Sequence, residues 1–236
     1  MIKLNNFQNL EAIDLSNNLI SKLENLESLV NLKSFKFTNS KPFFDWNYFN
    51  VKIDKIENLD CLINLNFLDL SYNEINKIEN LSSLERLTYL SLSTNKIQKI
   101  ENLESLSNLK QLDLSKNYIE TTDFCYFNIT HNLENLNLAK NSIDVVSNSI
   151  VNLMNLKKLN LSFNQIENVD VINFLSNLEV LYLNNNRIKK FDNFTNLQVL
   201  KHLDLSFNKI NSIKGIEYLS RLKILNLSSN MIDKLD

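Results

Sequence analysis

Glycine and proline are almost absent from this chain: Gly215 is the only glycine and Pro42 the only proline among its 236 residues. Loops that cradle nucleotide phosphates are built on closely spaced glycines, so loops of this kind are excluded. Histidine is nearly as rare, because only His131 and His202 occur. No set of Cys, His, Asp and Glu has the spacing of a metal site, and the many serines lack a nearby base. The composition therefore predicts no metal, no cofactor and no enzymatic activity.

Long apolar segments and an excess of one charge are also lacking. Nowhere do about 18 apolar residues follow one another, and the N-terminal sequence MIKLNNFQNLEAIDL has no apolar signal-peptide core. The 25 basic and 27 acidic residues give a net charge of −2, which provides no general attraction to nucleic acid or membranes. We expect neither as a direct partner. We expect a cytoplasmic location, with the nucleus and the cilium as alternatives.

What the chain has instead is a repeat of 22 residues. With Leu87 as position 1, leucine or a similar residue recurs at positions 1, 4, 6, 11, 14, 17 and 20, and asparagine occupies position 9 in nine of ten copies. Ser40 is the exception. Such a unit buries its leucines only against its neighbours, which predicts a solenoid. The copies begin at Leu10, Leu32, Leu65, Leu87, Leu109, Leu133, Leu156, Leu178, Leu200 and Leu222.

Positions 3 to 7 of each copy alternate between inward and outward side chains, as a short β-strand does. The rest of the repeat is expected to return across the opposite, convex side in turns and short 3-10 or α segments. We therefore predict an α/β solenoid of about ten repeats with a curved parallel sheet on its concave face, as a single domain over residues 1–236. The position-9 asparagine has two donors and an acceptor, so we expect it to satisfy buried backbone groups.

The pattern LxxLxLxxNxI identifies the chain as resembling leucine-rich repeat proteins. The segments KIENL at Lys55, Lys77 and Lys99 resemble the 22-residue class found in the phosphatase-1 regulatory leucine-rich proteins and in their ciliary and splicing relatives. The resemblance covers nearly the whole chain and specifies the fold better than the partner. It implies a phosphatase catalytic subunit as partner. The alternatives are a ciliary or cytoskeletal, dynein-associated component and a spliceosomal A-prime-like subunit.

Several features depart from the regular repeat. Residues 41–52 are an aromatic insertion, expected either to bind a partner or to cover apolar surface near the N-terminal end. Phe124, Phe127 and Ile129 are expected to replace leucines in the core. Cys61 and Cys125 lie about three coils apart, too far for a disulfide, and are expected to be reduced. No cap is recognisable at either end, which predicts self-association through the end repeats and a chain that is part of a longer protein.

The candidate binding residues are the outward-facing side chains at positions 3, 5 and 8, which line the expected concave surface. Exposed rings with charges beside them are typical of binding hot spots. Two aromatic clusters emerge, one of Phe67, Tyr72 and Tyr89 and the other of Phe163, Tyr182 and Phe207, with a strip of Lys116, Lys140 and Lys158 between them. The phosphatase regulators use concave aromatic and acidic residues, and this chain departs from them in its lysine strip and in having no concave glutamate. The predicted partner-binding residues are Phe67, Asp69, Tyr72, Tyr89, Asp113, Lys116, Lys140, Phe163, Tyr182, His202, Asp204 and Phe207.

Overall fold

The structure is a computed structural model that describes residues 4–40, 51–124, 132–191 and 194–234. It divides into two compact units, unit 1 within Met1–Asn117 and unit 2 within Tyr118–Cys125 and Thr130–Asp236. The expectation of a single domain stays a prediction. Most of the 41–52 insertion lies outside the described residues, as do Cys125, Phe127, Ile129 and His131, so the predictions made for them are not tested.

Unit 1 carries five parallel strands that pair in chain order. Equal repeat positions lie opposite each other, so that Phe67 pairs with Tyr89 and Tyr89 with Gln111. Ser34 pairs with Phe67 across the insertion, which confirms that the register resumes after it. The strands are β1 (Ala12–Asp14), β2 (Ser34–Lys36), β3 (Phe67–Asp69), β4 (Tyr89–Ser91) and β5 (Gln111–Asp113).

Unit 2 also carries five parallel strands in chain order. They are β6 (Asn135–Asn137), β7 (Lys158–Asn160), β8 (Val180–Tyr182), β9 (His202–Asp204) and β10 (Ile224–Asn226). Short 3-10 helices are the helical segments of the described chain, at Leu4–Asn6, Asn148–Asn152, Asp170–Phe174 and Ile216–Tyr218. The predicted architecture of parallel-strand repeats with turns and short 3-10 segments is confirmed.

The core consists of the leucine-type columns that the repeat predicts. In the repeat that begins at Leu65, every residue at positions 1, 4, 6, 11, 14, 17 and 20 is buried. Phe124 is also buried, which confirms its expected place in the core. Because each strand contributes only three residues, most of the apolar burial comes from the chain on the far side of the sheet. The buried residues of that repeat are Leu65, Leu68, Leu70, Ile75, Ile78, Leu81 and Leu84.

The position-9 asparagines form the predicted ladder between coils. The Asn95 amide nitrogen donates to the carbonyls of Leu70 and Leu92, both at 3.0 Å, and its oxygen accepts from the Ile75 backbone N–H at 2.9 Å. Each asparagine thus pairs backbone groups of its own coil and of the coil before it, where water does not reach. The same bonds recur at Asn117, Asn164, Asn186 and Asn208.

The second repeat, where Ser40 occupies position 9, departs from this pattern. Asn39 at position 8 was expected to face outward, but only 4% of it is exposed, and its amide nitrogen donates to the Asn73 side-chain oxygen at 3.0 Å. Serine is too short to bridge two coils, so the preceding asparagine turns inward instead. The outward assignment of Asn39 is therefore wrong.

Two further asparagine columns support the chain away from the sheet. At position 16, Asn58, Asn80 and Asn102 adopt left-handed backbone angles and donate to carbonyls of the previous coil at 2.6 to 2.7 Å. A third column, at position 22, makes similar bonds at 2.8 Å through Asn31, Asn64, Asn108 and Asn177. The high asparagine content of the sequence therefore has a structural use in three separate columns.

Candidate interaction surface

The sheet face is defined here as the side of the strands that carries repeat positions 3, 5 and 8, opposite the leucine core. In β3 the central Leu68 is buried, whereas Phe67 and Asp69 on either side are half-buried. The same alternation holds in β8 around Leu181. This arrangement confirms the expected strand alternation and places the predicted binding residues of positions 3 and 5 on the sheet face.

Position 8 has a backbone conformation that the repeat pattern does not predict. Nine of the ten copies have positive φ there, for example Tyr72 at 60° and Phe207 at 55°. A left-handed residue other than glycine costs roughly 1–2 kcal/mol, and the ladder asparagine that follows is in position to offset that cost. Asn17 and Asn185 at this position could have indicated a left-handed conformation from the sequence, because asparagine tolerates left-handed backbone angles. The kink ends each strand and precedes the buried asparagine.

The sheet face of unit 1 holds a stacked aromatic pair. The rings of Phe67 and Tyr89 are nearly parallel, with an interplanar angle of 6° and centroids 4.4 Å apart. Burial, and then the nearby carboxylates of Asp69 and Asp113, raise the pKa of the Tyr89 hydroxyl. Like an ordinary tyrosine hydroxyl, this group is neutral at pH 7 and can donate a hydrogen bond. Four predicted site residues are therefore brought together.

Tyr72 belongs to a different contact on the same unit. The Lys116 ammonium lies 5.8 Å from the centroid of its ring, and no ring contact joins Tyr72 to the stacked pair among the described residues. A cation–π contact at an exposed site contributes about 0.5–1 kcal/mol. The expected three-ring cluster is therefore a stacked pair together with a separate ring that is held by a lysine.

The sheet face of unit 2 combines rings with cations. The Tyr182 ring meets the His202 ring edge-on, with centroids 5.0 Å apart, and the Lys158 ammonium lies 5.7 Å from the Tyr182 centroid. The Lys140 ammonium lies 5.0 Å from the centroid of Phe163. The predicted lysine strip is therefore a set of cations that each contact a ring, with Lys116 in unit 1 and the other two in unit 2.

Phe163 and Phe207 are the most exposed of the predicted rings, at 46% and 56%. In the part of the chain that the structure describes, no ring contact joins either of them to Tyr182. The expected cluster of three is therefore spread over neighbouring coils. Rings this exposed, on a face that already carries Tyr182, are the apolar element that a partner surface could cover.

The position-5 aspartates have a structural reason for their placement. One carboxylate oxygen of Asp69 accepts from the backbone N–H of Ser71 at 3.0 Å, and Asp204 accepts from both the N–H and the hydroxyl of Ser206, at 3.0 and 2.7 Å. Asp113 makes the corresponding bond at 2.8 Å. These bonds close the turn that follows each strand. Aspartate here is thus explained without a ligand, although the carboxylates still place negative charge on the sheet face.

Side chains that could ligate a metal are not clustered in the described ranges. No group of three or more His, Cys, Asp and Glu residues there is arranged to hold a metal ion. No helix in those ranges is long and apolar enough to span a membrane. Cys61 is a free thiol, and burial raises its pKa, so it stays protonated and weakly nucleophilic.

Stacked parallel-strand repeats with an open, ring-bearing sheet face define a solenoid of the kind that binds other molecules. A family model described as "Leucine Rich repeats (2 copies)" matches residues 85–126 and 155–196, and one described as "Leucine rich repeat" matches residues 107–166 and 176–232. Together they cover more than half of the chain. The chain belongs to the leucine-rich repeat family, whose fold is typical of protein–protein interaction scaffolds. No relative was found among curated proteins.

Solved structures share the same fold. An internalin (inlF) from Listeria monocytogenes is 24% identical with a TM-score of 0.71, covering 97% of this chain and 70% of that one. The TLR13–ssRNA13 complex matches at 26% identity and a TM-score of 0.77, over 100% of this chain and 38% of that one. The ectodomain of the plant receptor kinase GASSHO1/SCHENGEN3 from Arabidopsis thaliana matches at 23% identity and a TM-score of 0.74, over 96% of this chain and 28% of that one. This chain therefore spans less than half of either receptor chain.

Proposed function

We propose that this protein is a non-catalytic scaffold that binds another protein through its sheet face. The observation that carries the proposal is the combination of rings and charges on that face. In unit 1 the stacked Phe67 and Tyr89 rings lie beside two aspartates. In unit 2 the Tyr182 ring contacts a histidine and a lysine. Aromatic anchors surrounded by polar groups supply most of the binding energy in protein interfaces.

The contacts among these side chains favour binding because they restrain the rings in advance. Tyr89 is restrained by the stacked Phe67, and Phe163 by the Lys140 ammonium. Immobilising a flexible side chain at an interface costs roughly 0.5–1.5 kcal/mol, so rings already restrained in the free protein lose less on binding. The solved TLR13 and GASSHO1/SCHENGEN3 structures are themselves complexes, with ssRNA13 and CASPARIAN STRIP INTEGRITY FACTOR 2 respectively, and this supports a binding role in general terms.

The partner proposed is a protein phosphatase catalytic subunit, with this chain as a regulatory or targeting subunit. The support for it is the resemblance of the KIENL segments at Lys55, Lys77 and Lys99 to the phosphatase-regulating class, together with the aromatic and acidic residues on the unit 1 sheet face. A ciliary or cytoskeletal component and a spliceosomal subunit are the alternatives within the same resemblance. The proposal carries with it the cytoplasmic location expected above.

Affinity capture from a native lysate with quantitative mass spectrometry tests this proposal. The wild type should enrich a phosphatase catalytic subunit, and the double variant Tyr89→Ala/Tyr182→Ala should lose it. Tyr218→Ala is the matched control, because Tyr218 is an exposed tyrosine in a 3-10 helix outside the sheet face. Capture of dynein, tubulin or spliceosomal proteins instead would rule out a phosphatase as the partner but would still support the scaffold function. Equal capture by the double variant would reject the sheet face as the binding surface.

A further inference from the structure

The two units differ in what position 5 presents on the sheet face. In unit 1, β3 and β5 end in aspartate, whereas in unit 2, β7 ends in Asn160. The Asn160 oxygen accepts from the backbone N–H of Ser162 at 3.0 Å and from its hydroxyl at 2.7 Å. A backbone N–H can only donate, so the accepting atom must be the amide oxygen. This leaves the Asn160 amino group as a donor that no described residue accepts from.

The two lysines on this face are not neutralised by carboxylates. At the rim of the sheet, Lys157 pairs with Glu134 at 2.8 Å and Lys201 with Glu179 at 2.6 Å. By contrast, no described carboxylate lies within ion-pair distance of Lys140 or Lys158, whose ammonium groups instead contact rings. A cation–π contact orients an ammonium group without cancelling its charge. The face therefore retains two positive charges beside an amide donor.

Asp204 marks the limit of this donor-rich area. It lies on β9, and one of its oxygens is engaged by Ser206. The uncompensated positive charge is therefore concentrated over β6 to β8. An occupant of that area must carry negative charge and hydrogen-bond acceptors, since like-charge contacts across an interface are costly.

We propose that the sheet face of β6 to β8 binds a carboxylate-rich segment of a partner protein, with Lys140, Lys158 and the Asn160 amino group as its donors. This inference rests on the proposed scaffold function and specifies the chemistry of the partner. A polypeptide fits better than a single-stranded nucleic acid, because bases bind by stacking on open ring faces. Here an ammonium group lies over the ring of Phe163 and another over that of Tyr182.

A fluorescein-labelled peptide of alternating Glu and Ser tests the inference by fluorescence anisotropy on the full chain. We expect binding that weakens with added salt, because salt screens exposed charges. A counterpart peptide with Gln in place of Glu should not bind. Lys140→Glu/Lys158→Glu should lower the affinity for the acidic peptide by about tenfold or more, which corresponds to a loss of roughly 1.4 kcal/mol of binding free energy. Lys77→Glu/Lys99→Glu changes the net charge equally at exposed position-13 sites and should have little effect.

Asn160→Asp is the most selective variant. It keeps the oxygen that accepts from Ser162, as aspartate does at the same position in unit 1, but it replaces the amino donor with a negative charge. We expect this variant to fold normally and to bind the acidic peptide with severalfold lower affinity. Asn226→Asp is the matched control on β10, because the Asn226 oxygen bonds the Ser228 N–H in the same way at 3.1 Å.

Four results would overturn the inference. The Gln peptide could bind as well as the acidic one, the control variants could weaken binding as much as the face variants, or an oligouridylate of equal length could bind more tightly and displace the peptide. Absence of any peptide binding at low salt has the same consequence. The peptide assay measures the affinity of the sheet face for carboxylates, and its result does not depend on which partner is captured from the lysate. If lysate capture shows no dependence on the sheet face while the peptide behaves as expected, only the proposed function fails.

Discussion

Replacing Asn95 by leucine is expected to lower the free energy of unfolding although it adds apolar volume. The change leaves the buried N–H of Ile75 without a partner. It also removes one of the two asparagine donors from each of the carbonyls of Leu70 and Leu92, which keep their bonds to Asn73 and Asn117. A buried group left unpaired costs ~1–3 kcal/mol and each other hydrogen bond lost costs ~0.5–1.5 kcal/mol, so we expect a total loss of at least ~2 kcal/mol. The midpoint of urea unfolding, followed by circular dichroism, measures the loss.

Asn108→Leu is the control for this experiment. Asn108 makes one bond, to the Glu85 carbonyl at 2.8 Å, at an exposed position where water can replace it. Its midpoint should stay close to that of the wild type. If Asn95→Leu unfolds at the same urea concentration as Asn108→Leu, then the buried ladder does not stabilise the repeats as described.

Truncating Tyr89 to alanine is expected to lower the affinity for the captured partner by tenfold or more. Removing a central aromatic anchor typically costs at least ~2 kcal/mol of binding free energy. Stability should fall less than affinity, because Tyr89 is half-buried on the sheet face outside the leucine core, and its stacked contact with Phe67 contributes only about 0.5–1.5 kcal/mol beyond the buried area. Isothermal titration calorimetry on the purified partner, alongside thermal unfolding of each variant, separates the two effects.

Tyr89→Phe distinguishes the ring from the hydroxyl. It retains the stacked ring and removes only the hydroxyl donor, so we expect most of the affinity to remain. Tyr218→Ala again serves as the control outside the sheet face. Unchanged affinity in Tyr89→Ala, with a loss in the control, would exclude the unit 1 ring pair as an anchor.

The fold could be predicted because its signal is local and repeated. A leucine column has the same meaning in every copy, so the strand register followed from the repeat alone, even across the insertion between Ser34 and Phe67. The asparagine ladder followed from hydrogen-bonding capacity, since only a side chain with donors and an acceptor can pair backbone groups of two coils. These inferences needed no knowledge of how individual side chains orient.

The details of the sheet face could not be predicted in the same way. Hydrophobic period does not specify φ, so the left-handed position 8 at residues such as Thr94 and Lys116 was missed. Column stacking placed Phe67, Tyr72 and Tyr89 together, but side-chain rotamers decide which rings meet, and Tyr72 faces a lysine instead. The inward turn of Asn39 depended on a single serine in the ladder.

Hydroxyl-radical footprinting of the free and partner-bound protein tests the central claim most directly. Radicals oxidise exposed rings and methionines, and this chain has exposed rings on and off the sheet face and an exposed methionine, Met154, away from it. We predict that Tyr72, Phe163 and Phe207 lose reactivity when the partner binds, whereas Met154 and Phe174, at 55% and 64% exposure elsewhere, keep theirs. Protection of Met154 and Phe174 with unchanged reactivity of the three sheet-face rings would contradict the account.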